Sequence, residues 1–315
     1  MISKAIIFGL SGYTLTSKEK ALFKKFRPWG VILFSRNIKN ILQVKKLTKS
    51  IKILFCDKNF PILIDEEGGS VSRLIKIINL RHFSQKYFAN FYKKDKKNFY
   101  KEYDKYIFNL SNILKILGIN INTVPVLDVY RKKSHKIIGS RSFSSDPKIV
   151  TDLGNLCINL YKKNKIATVI KHIPGHGSSN RDSHFKTPTI HSKKSKLINV
   201  DFKPFKLCKS FFAMTAHIIY SVYDPNNTAT HSKIIIDKVI RKQINYKGIL
   251  ISDDISMKSL KYNLENNATR AIHAGCNLIL HCNGNIKEMY RLSKVIPNID
   301  NFTKKKTSQF YNFLG

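Results

Sequence analysis

The chain is short of acid: against 56 Lys and Arg its 315 residues carry only 20 Asp and Glu, a formal net charge of +36. With 14 Gly and 9 Pro it is too poor in both for a collagen-like or low-complexity chain. Cysteine is scarce as well. Cys56, Cys157, Cys208, Cys276 and Cys282 make an odd number with no C-x-x-C spacing, which excludes a disulfide-stapled scaffold and argues against a zinc ribbon. A reducing, cytoplasmic location is expected. Long apolar runs are missing too. The longest, residues 211–223, is broken by Thr215 and His217 and falls short of the ~18 residues of a membrane span. The apolar stretch after Lys4 ends at Ser11 without a small-residue cleavage site, so neither a membrane partner nor a secretory signal is expected. What remains is a globular chain, 43% hydrophobic, long enough for two medium domains or one large α/β barrel.

Positive charge of this size invites a nucleic-acid reading, because clustered Lys and Arg release counterions from phosphates. Here the lysines are spread through nearly every stretch alongside abundant Ile and Asn, as in a chain encoded by AT-rich DNA. The best local case is residues 92–106, YKKDKKNFYKEYDKY, where aromatics interleave with lysines. From Asp104 onward, however, Ile107, Leu110, Leu114 and Leu117 follow a helical period, and Gly118 is placed to end the helix. The neighbouring aromatics are therefore expected to pack, and no specific nucleic-acid partner is expected. A noncatalytic barrel binding nucleic acid or an acidic surface stands as the alternative reading.

Eight short β-rich apolar runs recur, at residues 5–9, 31–34, 62–65, 121–126, 168–171, 212–216, 248–252 and 278–281. The intervals hold helical patterns, at 41–53, 149–163, 232–243 and 267–274, and one opens with a capping box, Thr16 followed by Glu19. Alternation of strand and helix implies a parallel sheet. Eight such units in this length have the rhythm of a single (β/α)8 TIM-type barrel over residues 1–315. A doubly wound open sheet competes with it, but no Gly-x-Gly-x-x-Gly or Walker loop follows any strand. No linker, repeat or low-complexity tract divides the chain.

In a barrel the active site forms at the carboxyl ends of the strands, and four runs end in chemically dense segments. Ile64 leads into Asp65-Glu66-Glu67-Gly68-Gly69; Ile170 into Lys171-His172-Ile173-Pro174-Gly175-His176-Gly177, with Asp182 and His184 further along; Met214 into Thr215-Ala216-His217; and Ile251 into Ser252-Asp253-Asp254. Each has a plainer alternative. A strand-end acid such as Asp65 or Asp254 can serve only as a helix N-cap, and glycines after Pro174 can serve only a tight connection. His172, His176 and His184 could instead ligate a metal, although the Pro and Gly between them oppose the helix that would bring i and i+4 imidazoles together. Together the strand ends suit glycoside hydrolysis best. A retaining glycosidase needs a carboxylate nucleophile, which Asp253 can supply, and a proton donor at the leaving oxygen. His184 with Asp182 can be that donor, since an imidazole titrating near ~6.5 suits both proton delivery and water activation at neutral pH.

At these residues the sequence resembles glycoside hydrolase family 3. The likeness runs from PWGVILFSRNI through LIDEEGGSVSRL, PVLDV, IGSRSF, KHIPGHGSSNRDSH, MTAHIIYSVYD and GILISDDISM to AGCNLILHCN. It implies a monomeric barrel without metal or cofactor, acting on carbohydrate as an exo-β-N-acetylglucosaminidase on peptidoglycan fragments, GlcNAc-anhydroMurNAc peptides in particular. It further implies Asp253 as the nucleophile of a covalent glycosyl-aspartate intermediate, His184 as acid/base and Asp182 as its partner. Asp65, Arg73, Arg141, Lys171 and His172 would hold the terminal sugar, with Asp128, Arg36 and His217 as lining or support. The chain departs from the family pattern at Glu66, where Gln is usual, at Ser70, where Arg is usual, and at Thr215, where Pro is common.

Overall fold

The computed structural model describes residues 2–131, 138–178 and 187–315. Eight parallel strands form a closed barrel in chain order: β1 (Lys4–Gly9), β2 (Pro28–Leu33), β3 (Ile62–Ile64), β4 (Ile121–Asn122), β5 (Ala167–Ile173), β6 (Phe212–Thr215), β7 (Ile249–Asp254) and β8 (Leu278–His281). Closure is made by β8 against β1, with Ile6 opposite Ile279 and Ile7 opposite Leu280. The strands are apolar almost throughout because a parallel barrel covers both faces of its sheet; all seven residues of β5 are buried, Lys171 and His172 among them. Each of the eight sequence runs contains or overlaps one of these strands.

One of the shortest pairings is reinforced by side chains. Strands β3 and β4 share only two registered pairs, Leu63 with Ile121 and Ile64 with Asn122. Beyond them the Asn122 amide accepts from the Glu66 N–H at 3.1 Å and donates to the Glu66 carbonyl at 2.9 Å. At the other end Asn120 accepts from the Ile62 N–H at 2.9 Å and donates to the Phe60 carbonyl at 3.0 Å. Two asparagines thus extend the ladder where the backbone alone would leave buried groups unpaired.

The helices follow their sequence signals. Helix α1 (Ser17–Lys25) begins with the Thr16–Glu19 capping box, and α2 (Ile41–Leu54) is capped by Asn40. After α3 (Gln85–Lys94), α4 (Lys96–Ile116) starts well before Asp104, because Asp95 caps it and Phe99 and Tyr103 continue its buried stripe through Ile107, Leu110 and Leu114. The aromatics of residues 92–106 stack among themselves and on α3, Phe88 lying 4.6 Å from Tyr103 and Tyr92 5.2 Å from Phe99, so they are largely spent on packing. Helix α5 (Pro147–Lys163) carries Pro at its first turn. The segment expected at 232–243 is wound as a π-helix over Ile235–Gln243.

Lys304, Lys305 and Lys306 lie within the helix Asn301–Leu314, which closes the amino-terminal end of the barrel. Its Phe310 is fully buried, 5.4 Å from Phe212, and Trp29 donates to the Thr307 hydroxyl at 2.9 Å. Truncating a buried aromatic costs about 3–5 kcal/mol, whereas an exposed side chain rarely matters by more than about 0.5 kcal/mol. Urea unfolding should therefore place Phe310→Ala about 3–5 kcal/mol below the wild type and leave Leu42→Ala, at a residue 71% exposed, close to it. Equal stability of the two variants would remove the C-terminal helix from the barrel's support.

Candidate active site

The strand ends converge on one cleft of about 400 Å³, lined among others by Asp65, Arg73, Arg141, Lys171, His172 and Asp253. These are all the candidate site residues among those described; Asp182 and His184 lie outside the described residues. Two concavities of similar size lie elsewhere. One, of about 440 Å³, is lined at the opposite end of the barrel by Lys162, Lys209, Lys247 and Lys306 with apolar neighbours, and the other, of about 480 Å³, is an apolar groove over α3 and α4. Of these three, among the described residues, the first cleft alone combines paired carboxylates with cations at the carboxyl ends of the strands.

Its floor is a chain of alternating charge. Asp65, just past β3, accepts from Lys171 of β5 at 2.5 Å and from the Thr123 hydroxyl at 2.6 Å on one oxygen, and from Arg73 at 2.6 Å on the other. Lys171 also meets Glu67 at 2.6 Å. Glu67 in turn accepts two bonds from the Arg141 guanidinium, at 2.7 and 2.8 Å, the bidentate geometry that makes such pairs strong. Burial pushes the Asp65 carboxyl up, but Lys171 and Arg73 more than offset it, leaving it well below the usual carboxylate range. Glu67 is lowered in the same way, Arg141 and Lys171 outweighing burial.

Glu67 carried no assigned role in the sequence. Its signal was its spacing: on an extended strand end, residues two apart face the same side, so a carboxylate at 67 shares the Lys171 ammonium with the one at 65.

A second cluster sets the imidazole. Asp128, fully buried, meets His172 Nδ1 at 2.7 Å and accepts from the backbone N–H of His172 at 3.2 Å and of His176 at 2.6 Å. Burial raises the Asp128 carboxyl, yet His172 and His176 bring it below its ordinary value. Nδ1 of His172 is therefore occupied, and burial pushes His176 down to about 4. Of the metal alternative's three histidines, the third, His184, lies outside the described residues.

The two aspartates ending β7 differ in employment. Asp254 is committed to the turn, accepting from Ser256 N–H and Oγ at 3.1 and 2.8 Å and from Cys282 N–H at 3.2 Å. Asp253 accepts from the Asp254 N–H at 2.8 Å and lines the cleft. Burial raises its carboxyl, but His217, His172, that N–H and Lys171 together hold it below the normal value. His217 is fixed behind it, Nε2 donating to the Asp254 carbonyl at 3.0 Å and Nδ1 meeting Thr230 at 2.8 Å. Thr215 is accommodated here, its hydroxyl 2.8 Å from that of Thr230.

The family model described as the glycosyl hydrolase family 3 N-terminal domain matches residues 9–309. The chain belongs to glycosyl hydrolase family 3. This family 3 barrel is 31% identical to a beta-hexosaminidase of Haemophilus influenzae, over 89% of this chain and 79% of that one. It is 34% identical to a beta-hexosaminidase of Alkalilimnicola ehrlichii, over 90% and 82%. Among solved structures it superposes on NagZ from Neisseria gonorrhoeae in complex with N-trifluoroacetyl-D-glucosamine with a TM-score of 0.86 and 27% identity, covering all of this chain and 90% of that one. The glycoside hydrolase fold is thus the (β/α)8 barrel expected from the sequence. No helix among the described residues is long and apolar enough to cross a membrane.

The lowered carboxyls set a pH dependence. For Asp65, Glu67, Asp128 and Asp253 the folded value lies below the unfolded one. The stability they lend is complete above the unfolded values, near ~4, and is lost as pH falls through the folded values. Burial also holds His176, at about 4, and His217 below the usual imidazole value, so the urea midpoint should begin to fall below about pH 6.5, as these rings protonate in the unfolded chain, and fall further below about 4 as the carboxyls protonate. Asp128→Asn should start lower and lose less on acidification; a parallel loss in both proteins would show that Asp128 carries none of it.

Proposed function

We propose that this glycoside hydrolase is a retaining exo-β-N-acetylglucosaminidase that removes terminal N-acetylglucosamine from β-1,4-linked peptidoglycan fragments such as GlcNAc-anhydroMurNAc peptides. The observation that carries the reading is Asp253. It is a half-buried carboxylate held below its ordinary value at a strand end, in one cleft with Asp65, Arg73, Lys171 and Arg141. A lowered carboxyl is what a nucleophile needs, since only the anion attacks. The names of the curated relatives and the N-acylglucosamine bound by the gonococcal NagZ support the sugar. Cell-wall fragments as its source follow from the sequence resemblance alone.

In the proposed reaction an Asp253 oxygen bonds to the anomeric carbon as the bond to the leaving oxygen breaks, and His184, partnered by Asp182, gives that oxygen its proton. A water then loses a proton to His184 and attacks the same carbon, releasing Asp253 and restoring the β configuration. Asp65, Arg73, Arg141, Lys171 and His172 hold the sugar hydroxyls and the acyl group. Charge-assisted bonds of this kind are worth about 1.5–3 kcal/mol each.

The test is release of 4-nitrophenol from 4-nitrophenyl N-acetyl-β-glucosaminide, with EDTA present. Wild type should turn over, and Asp253→Ala should lose at least about 10³-fold in kcat. His184→Ala should slow both steps while sparing this activated leaving group more than an alkyl glycoside. Full turnover by folded Asp253→Ala would refute the nucleophile; activity abolished by the chelator would favour the metal alternative.

A further inference from the structure

Glu66 lies between Asp65 and Glu67 yet does not line the cleft; it is 1% exposed and faces the other way. Its carboxylate collects four donors. Oε1 accepts from the Gly68 N–H at 3.1 Å, and Oε2 accepts from the Arg73 N–H at 2.7 Å, the Leu74 N–H at 2.8 Å and, at 3.4 Å, the Ser72 hydroxyl. The backbone of the same residue is held on both sides by the Asn122 amide. Glu66 therefore grips the far end of the strap of residues 66–74 while being pinned to the barrel. Where the strap returns, the Arg73 guanidinium reaches Asp65 and lies 5.5 Å from the Phe34 ring centroid.

We propose that Glu66 is a positioning residue for sugar binding, its carboxylate closing the strap so that Arg73 is presented to the cleft beside Asp65. This rests on the reading that Asp65 and Arg73 hold the sugar.

Burial raises the Glu66 carboxyl above its ordinary value, but every group on the carboxylate donates, and donors on both oxygens suit an anion. A neutral amide has one acceptor oxygen, and its NH₂ would face a donor. Without any acceptor, three backbone N–H groups would lose their partner in a buried place. Ser70 stands in this strap where the family pattern has Arg, so a long side chain usual to the strap is absent and the carboxylate at 66 does more of the holding. Because Glu66 touches neither the cleft nor Asp253, its loss should be felt in binding and spare the chemistry.

The experiment is a double-mutant cycle on KM and kcat for 4-nitrophenyl N-acetyl-β-glucosaminide. Glu66→Ala should raise KM about tenfold with kcat within about threefold, a loss in the range of a few buried hydrogen bonds. In the Arg73→Ala background the same substitution should add less than about twofold, because residues acting through one another are not additive. Glu66→Gln, which keeps an acceptor toward Arg73 and Leu74, should fall between wild type and Glu66→Ala. If Glu66→Ala does not fold, Glu66→Gln decides alone: its KM must exceed wild type by at least about threefold, and that excess must vanish when Arg73 is Ala. A KM within twofold of wild type, or effects that multiply in the double variant, overturns the inference while leaving the glycosidase reading intact. A wild type inert toward the glycoside overturns the sugar-site reading and this inference with it.

Discussion

The site is organised around one buried ammonium. Lys171 is 2% exposed and sits between two carboxylates, Asp65 at 2.5 Å and Glu67 at 2.6 Å, with Thr123 at 3.0 Å. A lone charge there would cost several kcal/mol, and a paired one is tolerable only when its geometry and remaining bonds are satisfied. Burial lowers Lys171, but the two acids outweigh it and keep the amine protonated. Each acid then needs its own second cation, and this draws in Arg73 from the strap and Arg141 from the turn Gly139–Arg141. Strand β5 thus dictates where two loops from other parts of the chain must come to rest. The finished set carries three positive groups and two negative, and its Lys171 adds to His217 and His172 in holding Asp253 below its ordinary value.

The second constraint is tautomeric. His217 is pushed down by burial, so the neutral ring has one donor and one acceptor nitrogen. The Asp254 carbonyl can only accept, which fixes the proton on Nε2 and leaves Nδ1 to take the Thr230 hydroxyl. With Asp254 also tied to Ser256 and Cys282, the backbone around Asp253 has little freedom. The position of the strand end that carries Asp253 is thus set in part by His217 and Thr230, which do not line the cleft.

The barrel was legible because parallel strands covered on both faces read as unbroken apolar runs, and all eight stood out. The same was true of Asp65, Lys171 and Asp253, since a polar residue ending such a run is conspicuous. Helix limits were less legible: Phe99 and Tyr103 belong to the buried stripe of α4, but interleaved lysines masked its period. What could not be read was partnership. Glu67 and Arg141 are 74 residues apart, and nothing in either local segment announces a bidentate bond across the top of the barrel. Glu66 was visible only as a departure at one position, because the three backbone N–H groups that give it a task belong to a strap whose return path is set by tertiary contacts.

The scarcity of acid takes on a different meaning once the acids are located. Among the described residues Glu19, Glu66, Glu67, Asp128, Asp201 and Asp224 are buried, against a single buried cation, Lys171. Exchanging an exposed carboxylate for another residue alters stability by a few tenths of a kcal/mol. Removing one from a buried pair costs about 3–5 kcal/mol. Each of these six buried acids has donors that satisfy it. The net charge of +36 therefore lies on the exterior, over an interior whose described carboxylates outnumber its buried cation and are satisfied in large part by neutral hydrogen-bond donors. The cleft is balanced, with Asp65, Asp253 and Asp254 set against Arg73, Arg141 and Lys171. Under the proposed function this balance suits a neutral, hydroxyl-rich ligand held through charged hydrogen bonds.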